Sequence, residues 1–143
     1  MRILFVCEYN ACRSQMGEGL ARALWPAQYQ IESAGLHDGR LNALTVEVMR
    51  EIGIDITPQY SKRLDQLTNP HFDWMLVLAE PALVAAQRLA PRNMQLWSYP
   101  DPVREPGDAL TLKAHLRSVR DDLRTRIIQF GETLARQALR EHQ

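Results

Sequence analysis

The chain of 143 residues suits one compact domain over 1–143, and can bury roughly two thirds of its unfolded surface. Its 17 basic and 17 acidic side chains cancel, so no broad basic surface points to nucleic acid or an acidic membrane, and any anion site must be local. At 45% hydrophobic and 24% charged, with no apolar run long enough to span a bilayer, the composition is that of a soluble globular protein.

Arg2 to Cys7 is an almost continuous apolar run, the pattern of a strand buried on both faces. It opens as a signal peptide would, but stops at Cys7-Glu8, so secretion is not expected. After a polar loop, Glu8 to Arg13, Ser14 is expected to cap a helix reaching Trp25, where Pro26 stops it. Met16, Leu20, Ala23 and Leu24 supply its apolar stripe. Tyr29 to Ala34 reads as a second strand, followed by a loop from Gly35 that contains Asp38-Gly39. Asn42 caps a second helix with Leu44, Val48, Met49 and Ile52 on one face and Gly53 at its end.

Ile54 to Leu67, broken by Pro58, is expected to hold an irregular loop and a short helix. Trp74 to Ala79 is the third strand, and Pro81 suits the first position of a helix reaching Leu89. Met94 to Trp97 is the fourth strand. Pro100-Asp101-Pro102 and Pro106-Gly107 mark a loop, and a long amphipathic helix from Leu110 to Leu139 closes the chain. Strands alternating with helices imply an α/β fold: a four-stranded parallel sheet with helices on both faces. Ligands bind such sheets beyond the carboxyl ends of the strands, so the loops after Cys7, Ala34, Ala79 and Trp97 should share the edge that carries chemistry.

Both cysteines, Cys7 and Cys12, fall in the first of these loops. A disulfide between them would staple no distant parts of the fold, so they read as reactive thiols in a reducing compartment, the cytoplasm. The segment Cys7-Glu8-Tyr9-Asn10-Ala11-Cys12-Arg13-Ser14 joins a buried strand to a helix start. A loop of this length can curl so that its N–H groups face inward as a nest for a tetrahedral oxyanion, aided by the helix N-terminus. Arg13 adds a planar fork for two anion oxygens. The same field favours the thiolate of Cys7, and the Ser14 hydroxyl can hydrogen-bond to it. Cys7 is therefore the expected nucleophile.

The chain resembles the low-molecular-weight protein tyrosine phosphatase superfamily, and more closely the arsenate reductases built on that fold. The resemblance rests on Cys7 to Gly17, Ser33-Ala34-Gly35, Asn42 to Ile56, Gln59 to Lys62, Asp101-Pro102 and Val119-Arg120-Asp121. Gln15 after Arg13-Ser14, and Gly53-Ile54-Asp55-Ile56 followed by Gln59-Tyr60-Ser61-Lys62, are the reductase-like features. The resemblance implies a flavodoxin-like three-layer sandwich. It also implies that Cys7 attacks arsenate, that Arg13 and the loop N–H groups stabilise the transition state, and that Asp101 is the general acid. The alternatives are a phosphatase forming a Cys7 phosphoenzyme, in which the Asp-Pro pair is commonly followed by tyrosines and not by Val103-Arg104, and a non-catalytic oxyanion-binding module.

By the same resemblance, Asn10 shapes the loop, while Glu18, Ser33 and Lys62 lie behind it. Some relatives bind potassium there through an acidic residue; here the Lys62 ammonium would take the cation's place and pair with Glu18, with no metal needed. Thioredoxin-coupled reductases of this fold carry two more cysteines after the third strand, where this chain has none between Ala79 and Gln87. An external thiol of the glutathione or mycothiol type, served by a glutaredoxin-like protein, is then the expected partner, with Cys12 as the alternative resolving thiol. Glu8 is expected to face solvent, away from the thiolate, and Tyr9 to shape the mouth. His37, His71, His115 and His142 show no metal-ligand spacing and read as surface or loop residues.

Overall fold

A computed structural model describes residues 1–103 and 107–141. The expectations for Arg104, Pro106 and His142 fall outside the described residues. Four parallel strands, β1 (Arg2–Cys7), β2 (Gln30–Gly35), β3 (Trp74–Val77) and β4 (Asn93–Leu96), form one sheet in the order β2-β1-β3-β4. Helices α1 (Arg13–Leu24), α2 (Ala43–Arg50), α3 (Leu83–Arg88) and α4 (Ala109–Glu141) connect and flank it. This is the expected low-molecular-weight phosphatase-like α/β architecture.

The alternation of side chains along β1 explains the two cores. Ile3, Phe5 and Cys7 point to the side of α1, α2 and α4, where they join Met16, Leu20, Met49, Leu116 and Leu123. Leu4 and Val6 point to the other side and join Ala34, Met75, Val77, Ala82 and Ala86 under α3. A central strand covered on both faces has no use for polar residues, hence the unbroken apolar run. Each of its larger side chains contributes about 1.5–3 kcal/mol through burial. The alternation also assigns Cys7 to the α1 face at the strand's carboxyl end.

Several elements differ from expectation. Helix α1 starts at Arg13, with Cys12 at the N-cap and no side-chain cap, so Ser14 is not the cap. Ala23 and Leu24 are exposed, and Ala21 is buried in their place. The buried face of α1 is built on small residues: a Cβ on Gly17 would lie 2.6 Å from the Phe5 ring. Close approach to β1 at Gly17, together with the buried Met16 and Leu20, sets which way this helix turns. The expected helix from Pro81 begins as a 3-10 turn, Glu80–Ala82, before α3, and the short helix after Pro58 is a 3-10 turn at Leu64–Gln66.

Asn42 caps α2 as expected, its Oδ1 accepting from Thr45 N–H at 3.0 Å. Beyond the helix, Gly53 takes φ 79°, and the N–H groups of Gly53 and Ile54 bond to Arg50 O (2.9 Å) and Met49 O (3.1 Å), a Schellman ending. Glu51 in that last turn binds Arg117 at 2.6 Å and Arg120 at 2.8 Å, tying α2 to α4. The Arg117 hydrogen bond, followed by that of Arg120, holds the Glu51 carboxyl down from its ordinary 4.5 to about 2. A carboxyl lowered in the folded state stabilises above its ordinary value and loses that contribution as pH falls toward 2. Thermal scans from about pH 6 to about pH 3 should show a smaller loss of Tm in Glu51→Gln than in the wild type; equal losses would remove this cluster from the acid response.

Candidate active site

Cys7 ends β1 inside the protein, and residues 8–12 curl over it before α1 begins. Asn10 makes the curl possible, adopting φ 52° in the left-handed region that asparagine tolerates. Its amide orientation follows from its partners. Lys62 N–H, a donor only, bonds to Asn10 Oδ1 at 3.0 Å. Asn10 Nδ2 must then donate to Ser14 Oγ, 2.7 Å away. Ser14 Oγ also lies 2.8 Å from Cys7 Sγ; it can accept from the thiol or donate to it, and against a thiolate, which has no proton, only the hydroxyl can donate. The hydroxyl assigned to capping is instead spent on the thiol.

The loop is held from outside by backbone contacts. Leu36 and His37 donate to Cys7 O (3.1 Å) and Glu8 O (2.7 Å), and Asn42 N–H donates to Ala11 O (3.1 Å). The Ser61 hydroxyl donates to Tyr9 O at 3.0 Å. Gln15 Nε2 donates to Asn10 O and Tyr60 O at 2.9 and 3.1 Å, and Gln59 Nε2 donates to Gln15 Oε1 at 2.9 Å. Gly39 lies so near the loop that a Cβ there would sit 2.2 Å from Tyr9 O. Backbone cannot yield as a flexible side chain can. Gly39→Ala should therefore cost about 2 kcal/mol in denaturant unfolding; an unchanged midpoint would show that the loop tolerates the displacement.

Cys7, Tyr9, Ala11, Cys12, Arg13, Asn42, Asp101 and Val103 line a cavity of about 180 Å³ at the carboxyl edge of the sheet. Arg13 is only 3% exposed, with Nη1 donating to Tyr99 O at 2.9 Å. Its Nη2 lies 3.8 Å from Asp101 Oδ2, so the loop after β4 brings its carboxylate to the same guanidinium that follows the Cys7 loop. Tyr99 is itself anchored to α4 through its hydroxyl and Asp122. Burial, then the Asp122 hydrogen bond, pushes that phenol up to about 12, so it remains a donor. The expectation that Glu8 faces solvent is overturned. Its side chain is 20% exposed and Oε1 lies 3.7 Å from Arg13 Nη2, because the cation at the end of the loop offers it a partner.

Cys12 is buried at the helix start and is not disulfide-bonded to Cys7. Burial, reinforced by the charges of Cys7 and Asp101 against a hydrogen bond with Thr45, pushes its thiol up to about 12. Its thiolate is therefore scarce near neutral pH, which weighs against the resolving role considered for it. Tyr9 sits at the cavity with its ring 5.5 Å from that of His37, and Val103 forms part of the rim.

Behind the loop, Glu18 does not take Lys62 as its partner. Glu18 binds Arg22 at 3.0 Å, one helical turn on, and accepts from the Ser33 hydroxyl at 2.6 Å. Lys62 instead places its ammonium 4.6 Å from the centre of the Tyr60 ring. The reason is reach: Arg22 lies on the same face of α1 as Glu18, and its second arm also satisfies Ile31 O at 2.7 Å. No group of three or more His, Cys, Asp or Glu side chains suited to a metal ion occurs among the described residues. Nor is any helix among them long and apolar enough to cross a membrane.

Sequence reasoning did not find the Glu8–Arg13 pairing, the Tyr99 carbonyl or the Gln15–Gln59 brace. The last left a faint signal, since both glutamines belong to the reductase-like segments.

Residues 2–140 match the family model for low molecular weight phosphotyrosine protein phosphatases. The chain is 33% identical to an arsenate reductase of Bacillus subtilis over 132 residues, 92% of this chain and 95% of that protein. It is 35% identical to an arsenate reductase of Halalkalibacterium halodurans over 133 residues, with the same two shares covered. Among solved structures, an arsenate reductase in the phosphate binding state superposes with a TM-score of 0.74 at 27% identity, over 92% of this chain and 97% of that one.

Proposed function

Because the chain belongs to the low molecular weight phosphotyrosine protein phosphatase family, we propose that it acts in that family's arsenate reductase branch, reducing arsenate to arsenite through Cys7. The observation that carries this reading is the convergence of Cys7, Arg13 and Asp101 on one small cavity. Arsenate enters with its oxygens on the Arg13 fork and on the first-turn N–H groups of α1, which no side chain caps. The Cys7 thiolate, stabilised by the Ser14 hydroxyl, attacks arsenic. Asp101 protonates the departing oxygen, which leaves as water, and an As–S bond to Cys7 remains.

Reduction needs two electrons from a thiol. The chain's only other cysteine, Cys12, is a poor source, and the stretch from Ala79 to Gln87 carries none. An external thiolate, of the glutathione or mycothiol class, attacks the Cys7 sulfur. The S–As bonding pair passes to arsenic, arsenite departs, and Cys7 is left in a mixed disulfide that a glutaredoxin-like protein reduces. This chemistry, with two cysteines not bonded to each other, fits a reducing cytoplasm.

The same constellation can hydrolyse a phosphate monoester through a Cys7 phosphoenzyme, and the family description favours that as the second reading. Incubation with arsenate should yield arsenite with the glutathione–glutaredoxin or mycothiol system and little with thioredoxin alone. Rapid aryl phosphate hydrolysis without arsenite would replace this reading with the phosphatase. Oxyanion binding with no turnover of either substrate would leave a binding module.

A further inference from the structure

Glu8 takes no step in the chemistry above, yet the fold fixes it beside the anion site. It follows Cys7 directly, its carbonyl accepts from His37 N–H at 2.7 Å, and its carboxylate turns back to within 3.7 Å of Arg13. Asp101 stands 3.8 Å from the same nitrogen. Neither separation is a hydrogen bond, so Nη2 is locked by neither carboxylate although Nη1 is held by Tyr99 O, and both carboxylates act on the guanidinium through their charge. The Glu8 carboxylate turns to Arg13, so its charge reaches a bound anion through that guanidinium and its field. With Cys7 as thiolate, Cys7 and Glu8 set two negative charges against the single positive charge of Arg13, and Asp101 adds a third whenever it does not carry the proton it delivers.

We propose that Glu8 is a specificity-determining charge that weakens oxyanion binding at the loop and discriminates against divalent anions. Coulomb energy scales with the product of the charges. For anions of one shape in one place, a fixed negative charge therefore costs a dianion twice the energy it costs a monoanion. The factor in Kd for the dianion is then the square of that for the monoanion. A carboxylate next to the nucleophile would otherwise be a plain liability in an anion site. As a filter, it keeps the loop from filling with abundant divalent anions. The inference rests on reading the loop as an oxyanion site, and it holds whether arsenate or a phosphate ester is turned over.

Sulfate and perrhenate test it, being tetrahedral anions of charge two and one that do not titrate near neutral pH. Calorimetric titrations of wild type, Glu8→Gln and Glu8→Asp at constant ionic strength supply the affinities. Glu8→Gln should tighten perrhenate roughly fivefold and sulfate roughly 25-fold, with both gains shrinking as salt rises. Glu8→Asp, which keeps the charge, should stay near the wild-type ratio of the two anions. Glu8→Ser should repeat the unequal gains, covering a failure of the glutamine variant to fold. Equal gains for both anions, no gain, or weaker binding would overturn the proposal. If neither wild type nor Glu8→Gln binds sulfate, the oxyanion reading fails and takes the inference with it. Sulfate binding that Glu8→Gln leaves unchanged overturns the inference alone.

Discussion

Cys7→Ser should lower arsenite production by at least about 10,000-fold while phosphate or sulfate binding persists. The two halves of this result come from different atoms. Turnover needs a sulfur that can attack arsenic and then surrender it with a pair of electrons, and a serine oxygen can do neither at neutral pH. Binding draws on Arg13 and on the uncapped first turn of α1, which the substitution leaves in place. The Ser14 hydroxyl, now facing oxygen in place of sulfur, remains fixed by the Asn10 amide. Turnover is read with the complete thiol system, and binding by calorimetry. A variant with unchanged turnover would remove Cys7 from the chemistry, and loss of binding along with turnover would mean that the loop had collapsed.

Asp101→Asn should cost about 100- to 1,000-fold in the rate of adduct formation, because the oxygen expelled from arsenate then leaves without a proton donor at hand. The carboxylate's position supports that part: it lines the cavity with Cys7 and lies 3.8 Å from Arg13. An accompanying effect runs in the opposite direction. Whenever Asp101 does not carry the proton it delivers, the substitution also removes a negative charge from beside Arg13, which should tighten oxyanion binding and lower KM together with kcat. Single-turnover measurements with arsenate separate the two. A rate within about threefold of wild type would reduce Asp101 to a loop residue before Pro102.

The parts of this molecule that were legible in sequence are those set by local rules. The apolar run of β1, the Cys7 loop and the Asn42 cap are contiguous, and each records its structure in neighbouring letters. The errors arose where a distant partner decided. Ser14 has the chemistry of a cap, but Cys7 and Asn10 compete for its hydroxyl and prevail. Glu8 turns inward because Arg13 waits there, and Glu18 chooses Arg22 over Lys62 because Arg22 shares its helix face. The turn of α1 departs from the apolar pattern at Ala23 and Leu24, and its close contact with Phe5 is made by Gly17, a residue invisible to any apolar pattern. One loop thus carries most of the residues proposed for the chemistry, whereas their charge balance depends on the fold.

The central claim is that Cys7 alone carries the adduct and that the reductant comes from outside the chain. Intact-mass and peptide mass spectrometry after incubation with arsenate and stoichiometric glutathione or mycothiol, without a glutaredoxin-like protein, tests this most directly. The account predicts arsenite in solution and a mixed disulfide with the added thiol at Cys7, with Cys12 unmodified. A Cys7–Cys12 disulfide, or the added thiol on Cys12, would contradict it.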